Sequence, residues 1–60
     1  MLKSVKDVER RLNDGFNRTP EEHEKCLIWL TEFMAANQMS LRELDALCFE
    51  DSAWVFDQIF

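Results

Sequence analysis

The side chains that could carry out chemistry in this chain are few. His23 and Cys26 stand three residues apart, a spacing that suits two metal ligands or a Cys–His nucleophile pair on one helix. Two ligands do not complete a zinc site, and no acid stands where it would clearly orient the histidine. Acidic pairs such as Glu21 and Glu22 are adjacent and point to different faces of a helix. We therefore expect no enzyme activity, no metal and no cofactor.

Length and composition favour one small domain spanning residues 1–60. Two cysteines, Cys26 and Cys48, are too few for a secreted disulfide framework, and each stands in an apolar run where a free thiol behaves as a small hydrophobe. The first residues turn polar at once, unlike a secretory signal, and the longest apolar run, Cys26 to Leu30, is far too short to span a membrane. We expect a cytoplasmic protein without a membrane segment.

Charge is unevenly distributed along the chain. Residues 1–18 hold five basic and three acidic side chains, a balance of +2, whereas residues 19–60 hold two basic and nine acidic side chains, a balance of −7. No basic residue follows Arg42. The C-terminal end of the chain would repel a phosphate backbone, so the charge pattern disfavours nucleic acid as a partner.

Three helix starts are predicted by the same local pattern, a hydroxyl residue three positions before an acid. The pairs are Ser4 with Asp7, Thr19 with Glu22 and Ser40 with Glu43. Pro20 strengthens the second start, because proline suits the first position of a helix. The pattern predicts an all-α fold.

The apolar spacing outlines the first two helices. A helix over about residues 4–14 would place one apolar stripe inward and end near Gly15. A second helix over about residues 20–37 would turn a broader apolar face inward, with Ile28 on the opposite side. The members of the first stripe are Leu2, Val5, Val8, Leu12 and Phe16; the second face comprises Cys26, Leu30, Phe33 and Met34, flanked by Leu27 and Trp29.

Two interpretations fit the chain after Ser40. It forms one helix to Phe60, or a helix over residues 41–48 breaks near Phe49 and Glu50, and Asp51 caps a fourth helix that ends near Ile59. The Asp-Ser pair at 51–52 favours the break. The predicted architecture is a small bundle of three to four short helices.

Residues 30–44, with the sequence LTEFMAANQMSLREL, resemble the first half of a Cro/repressor-type helix-turn-helix domain. The likeness covers roughly residues 27–59 and implies a recognition helix beginning near Asp51. This chain departs from the family pattern at Asp45, Phe49 and Glu50, and the region of the implied recognition helix has no Lys or Arg for phosphate contacts. The resemblance implies a helix-turn-helix-like C-terminal half, and the departures from the family pattern disfavour DNA binding by it.

The remaining candidate site is a surface for a protein partner. If residues 41–60 formed one helix, Leu47 and Trp54 would share an outer strip with four acids, Glu43, Glu50, Asp51 and Asp57. A large aromatic ring among acids is typical of a binding hot spot. The alternative is that a break between two helices turns Trp54 inward. Leu47 is more typical of a core residue than of a contact residue. If Trp54 is not the anchor of the contact, Ile28 is the next candidate.

Phe49, Phe56 and Phe60 are predicted to form a further apolar edge that 60 residues could hardly cover, so we expect a homodimer. The favoured function is a small acidic protein-binding module, a phage or mobile-element inhibitor or regulator that binds a host protein through that protein's basic surface. The alternative is a helix-turn-helix transcriptional regulator that binds DNA. A structural assembly subunit is the third class considered.

Overall fold

A computed structural model describes residues 2–60 and contains four helices. They are α1 (Val5–Leu12), α2 (Pro20–Ala36), α3 (Leu41–Glu50) and α4 (Ser52–Ile59). Helix accounts for 73% of the structure, and residues 2–60 include no strand. The prediction of an all-α bundle is confirmed. No helix among these residues has the length and apolar character needed to cross a bilayer.

All three helix starts lie where the hydroxyl–acid pairs predicted them. At α2, Glu22 donates its backbone N–H to the Thr19 hydroxyl and accepts the Thr19 N–H at 2.8 Å. Ser40 and Glu43 form the same reciprocal pair at α3. At α1 the carboxylate of Asp7 accepts the backbone N–H of Ser4. These bonds satisfy N–H groups that have no partner within the helix.

Residues with positive φ follow the first two helices. Gly15, at φ +87°, lies in the turn after α1, but the C-cap of α1 is Asn13 at φ −95°, so the prediction of Gly15 as a left-handed C-cap is wrong. Gln38, at φ +50°, ends α2, with its N–H bonded to the Ala35 carbonyl and the Met39 N–H bonded to the Met34 carbonyl. This is a Schellman motif, which usually has glycine at that position.

The core is formed by eight buried apolar residues contributed by all four helices. Helix α1 packs against α2 and α3, while α4 packs against α2 and α3. Both thiols lie inside this core and are free. The members are Val8, Leu12, Cys26, Leu30, Leu44, Cys48, Val55 and Ile59.

The first helix is shorter than the predicted span of residues 4–14, and this removes one residue from its stripe. Because α1 ends at Leu12, Phe16 lies in the following loop and is 53% exposed. Its ring instead meets Phe56 of α4 edge-on, with centroids 5.2 Å apart. The predicted place of Phe16 in the stripe is wrong because the turn at Gly15 redirects the chain.

The favoured break in the C-terminal third is present, and the single long helix is ruled out. Helix α3 continues to Glu50, two residues further than predicted, and Asp51 alone separates it from α4. Asp51 leaves the helical region at φ −130°, ψ 41°, and its side chain accepts no capping hydrogen bond. The outer strip that one helix would have created therefore does not form as predicted.

Candidate functional site

Three aromatic rings from α2 and α4 form a cluster that we name the tryptophan patch. The rings of Trp29 and Phe33 are stacked, with centroids 4.7 Å apart and planes 13° apart. Trp54 meets Trp29 edge-on at 6.2 Å and Phe33 at 6.1 Å. Trp54 remains 43% exposed, so the patch is held together on one side and open to solvent on the other.

The sequence positions these rings by simple register. Trp29 and Phe33 are four residues apart on α2, which brings their side chains together on one face. The break at Asp51 reorients the chain, and α4 then packs its inner residues Val55 and Ile59 into the core. Trp54 is next to Val55, and its ring lies at the boundary between core and solvent. This position is intermediate between the exposed Trp54 of a single long helix and the buried Trp54 expected after a break.

The acids predicted to surround Trp54 are only partly brought together. Asp51 and Asp57 stand three residues before and after Trp54, one turn to either side, and both are exposed. Glu50 is exposed at the end of α3, immediately before the break. Glu43 lies two turns away from Glu50 at the other end of α3, about 10 Å along the helix axis.

Glu43 has a local role in the structure. Its carboxylate accepts the Ser40 backbone N–H at 2.9 Å, and this hydrogen bond lowers the pKa of Glu43. The acid is therefore part of the α3 cap.

The two remaining predicted contact residues differ in exposure. Leu47 is half-buried and packs against the core, as its position on α3 had favoured. Ile28 is 51% exposed on the outer side of α2, next to Trp29 in sequence. Ile28 therefore remains available to a partner, whereas Leu47 contributes mainly to the fold.

A second exposed feature is an open groove between α1 and α3, which we name the Phe49 groove. Its volume is about 580 Å³, and Phe49, 77% exposed, forms one wall. A smaller cavity of about 50 Å³, also lined by Arg11 and Phe49, reaches Cys48. The groove is lined by Leu2, Asp7, Arg10, Arg11, Asp14 and Phe49.

The three C-terminal phenylalanines do not form the single edge that the sequence predicted. Phe56 and Phe60 lie together, and the guanidinium of Arg18 lies 4.7 and 4.6 Å from their ring centroids. Arg18 is also 4.8 Å from the ring of Phe16. A cation over three ring faces covers part of the apolar surface that the sequence predicts a second copy would bury. Phe49 alone projects elsewhere.

His23 takes part in a polar network that the sequence did not reveal. Its Nδ1 contacts the buried carboxylate of Glu9, which also accepts the side-chain N–H of Asn13 at 2.8 Å. Asn13 in turn accepts Nε of Arg18 at 3.0 Å. The network joins α1, its following loop and the first turns of α2.

This network supplies the acid beside His23 that the sequence could not locate, but it does not activate Cys26. The thiol is fully buried, and burial raises its pKa. The neutral thiol is a poor nucleophile. Within residues 2–60, no group of three or more His, Cys, Asp or Glu side chains is arranged to hold a metal ion.

Sequence reasoning missed the tryptophan patch, the Arg18 stack and the Glu9–His23 contact for one reason. Each joins residues from different elements, and helical periodicity carries no information on such pairs. The i,i+4 spacing of Trp29 and Phe33 was the single local signal available.

No known protein family, curated protein or solved structure matches this chain. A functional assignment therefore depends on the surfaces described above.

Proposed function

We propose that the protein is a small acidic protein-binding module whose docking surface is the tryptophan patch. The observation that carries the proposal is that Trp54 is 43% exposed while its ring packs against those of Trp29 and Phe33. Tryptophan is among the residues most enriched in binding hot spots, and such anchors are most effective near the centre of a contact surface.

The patch is preorganised for binding. Trp54 rests against Trp29, which is itself stacked on Phe33, so the anchor loses little conformational freedom when a partner covers it. Ile28, exposed and immediately before Trp29 on α2, can extend the contact. A fixed aromatic anchor with an aliphatic neighbour suits a partner that inserts an apolar or cationic side chain beside the indole.

Charge indicates the chemistry of that partner. Asp51 and Asp57 flank Trp54, Glu50 precedes them, and Glu32 lies one turn after Trp29. An acidic rim raises the association rate with a basic surface and repels acidic competitors. Lysine and arginine side chains also interact favourably with an indole face. The partner we propose is a protein that presents Lys or Arg next to an apolar residue.

Binding of this kind suits an inhibitor or regulator that acts by occupying its partner's surface. The origin in a phage or mobile element stays a prediction from the sequence.

Binding to DNA by a helix-turn-helix is the less favoured function. The resemblance would make α4 the recognition helix, yet α4 has no Lys or Arg. A helix-turn-helix uses a turn of about three to four residues, whereas α3 and α4 are separated by Asp51 alone. These features support protein over DNA as the partner.

The proposal is tested by selecting binders from a displayed library of random peptides, with the whole protein as the immobilised target. We expect enrichment of sequences that place Lys or Arg beside an apolar residue, with NMR shift changes at Trp54 and Trp29 when the best peptide is added. Enriched peptides that shift other residues only, or no enrichment, would contradict the proposal. A random DNA duplex at low salt is the second arm, and tight binding there would favour the DNA regulator instead.

A further inference from the structure

We propose that the Phe49 groove receives a second copy of this chain, forming a two-fold symmetric dimer at micromolar concentration. The groove is formed by α1 and α3 with their flanking residues, whereas the tryptophan patch belongs to α2 and α4. The inference therefore goes beyond the proposed function and can fail without affecting it.

The apolar part of the argument is Phe49 itself. Its side chain is 77% exposed, more than any other large apolar side chain identified as exposed in residues 2–60. It stands beside Leu2 in the groove and also lines a small cavity with Val8 and Leu12. A two-fold contact buries Phe49 of both copies at once, because the same surface of each copy is used.

The charge of the groove is compatible with a second copy as the occupant, unlike the charge of the rest of the chain. The whole chain carries −5, so two copies that met through their acidic surfaces would repel each other. The groove is lined by two aspartates, Asp7 and Asp14, and two arginines, Arg10 and Arg11, which balance. Two copies of this acidic chain can therefore meet through the groove without a net repulsion between the charges that line it.

Two of these charges are available for pairing across the contact. Arg11 already binds Asp45 at 2.7 Å, and Asp7 accepts backbone N–H groups at the start of α1. Within residues 2–60, Arg10 and Asp14 form no ion pair, although Arg10 is close enough to Asp7 to contribute to the lowered pKa of that carboxyl. Two-fold symmetry gives two identical contacts, so Arg10 of each copy can bind Asp14 of the other.

The size of the molecule sets the strength of the contact. A stable interface buries about 800 Å² per partner, which is about a fifth of the 4420 Å² surface of this chain. A contact centred on one groove is smaller than that. We therefore place the dimer in the micromolar range.

Sedimentation equilibrium of the whole protein tests the proposal. The wild type should show a dimer of the 7.2 kDa chain, and Phe49→Ala should weaken dimerisation by about tenfold or more. Ile28→Ala is the matched control, because Ile28 is also an exposed apolar side chain but lies on α2 outside the groove. This control should dimerise like the wild type.

A charge exchange tests the two-fold arrangement directly. Arg10→Glu and Asp14→Arg each place like charges opposite each other in a dimer of that variant, so each alone should be mainly monomeric. When the two variants are mixed, both contacts become attractive and a heterodimer should form. Restored association in the mixture also shows that the single variants had not lost dimerisation through unfolding.

Three outcomes would overturn the proposal. The first is a wild type that sediments only as a 7.2 kDa species at several hundred micromolar. The second is a dimer that Ile28→Ala weakens as much as Phe49→Ala does. The third is a mixture of the charge variants that associates no better than either alone. A monomeric wild type whose groove binds a library peptide through Phe49 would assign the groove to an unrelated partner.

Discussion

The indole of Trp54 meets the indole of Trp29 edge to face, with 6.2 Å between ring centroids and 70° between planes. This contact lies between α4 and α2, so one side of Trp54 stabilises the fold while the other side faces solvent. Edge-to-face aromatic pairs contribute about 0.5–1.5 kcal/mol beyond the area they bury. The same residue is therefore needed for packing and offered for binding, and experiments must separate the two.

Arg18 should contribute to stability through the rings it covers. Arg18→Ala removes a guanidinium that lies over Phe16, Phe56 and Phe60, so we expect a loss of about 1–2 kcal/mol in the free energy of unfolding. Arg18→Lys should recover less than half of it, because an ammonium does not stack flat on a ring. Urea denaturation checks this, with Arg42→Ala, an exposed position, as the control. If Arg18→Lys recovered the full free energy of unfolding, the positive charge alone, without stacking of the guanidinium, would explain the effect.

Gln38 has a left-handed backbone conformation that is strained in any residue other than glycine. Gln38→Gly should raise the free energy of unfolding by about 0.5–1 kcal/mol, whereas Gln38→Ala should not. Gly15→Ala is the opposite test. An added Cβ there meets nothing within 4 Å, so any loss, about 1 kcal/mol, comes from φ alone. Thermal melts of the three variants measure the effect, and an equal gain from alanine and glycine at position 38 would refute the strain.

Cys48 should make stability depend on pH at alkaline values. Burial, with smaller effects from Asp45 and Cys26, raises the pKa of Cys48 from 9.0 to about 11. The folded protein keeps this proton where the unfolded chain loses it. The free energy of unfolding is therefore unaffected by this thiol below pH 9 and decreases as the pH rises toward 11. The folding equilibrium constant decreases by up to a factor of ten per pH unit in this range.

The measurement for Cys48 compares urea denaturation of the wild type and Cys48→Ala between pH 8 and 11. Cys48→Ala is less stable at pH 8 because a buried side chain is shortened. The gap between the two proteins should narrow as pH rises. A constant gap would show that the thiol titrates normally in the folded state.

The sequence predicted the parts of this structure that depend on neighbours along the chain. Ser40 and Glu43 are three residues apart, and their mutual hydrogen bonds follow from helix geometry alone. A break near Phe49 and Glu50 was also favoured on local grounds, and it lies at Asp51, although the side-chain cap of Asp51 that favoured it does not form. These features needed no knowledge of how the helices pack.

The candidate site was harder to predict because it depends on helix packing. Trp54 was placed in a strip with Leu47 on the condition of a single helix, and one non-helical residue at Asp51 removes that strip. Whether Trp54 then turned inward or outward depended on where α4 lay against α2. Helical periodicity gives the face of a residue but not the neighbour that covers it, and the same is true of Arg18 over Phe56.

Glu50→Lys should separate steering from folding. Glu50 ends α3 and stands just before the start of α4, so a positive charge gains from one helix dipole and loses to the other, and the variant should be about as stable as the wild type. Binding of the best library peptide should nevertheless slow, mainly through the association rate, and become less dependent on salt. Asp14→Lys changes the net charge equally but lies in the loop after α1, outside the patch. Stopped-flow fluorescence should show a smaller effect for that control, and equal effects would mean that only net charge matters.

The most direct test of the docking surface measures peptide affinity and stability together in two aromatic variants. Trp54→Ala should bind the best library peptide at least about 2 kcal/mol more weakly by calorimetry, at a temperature where circular dichroism shows it folded. Phe49→Ala removes an exposed ring outside the patch and should bind like the wild type. A folded Trp54→Ala protein that binds the peptide with unchanged affinity would contradict the assignment of the tryptophan patch as the docking surface.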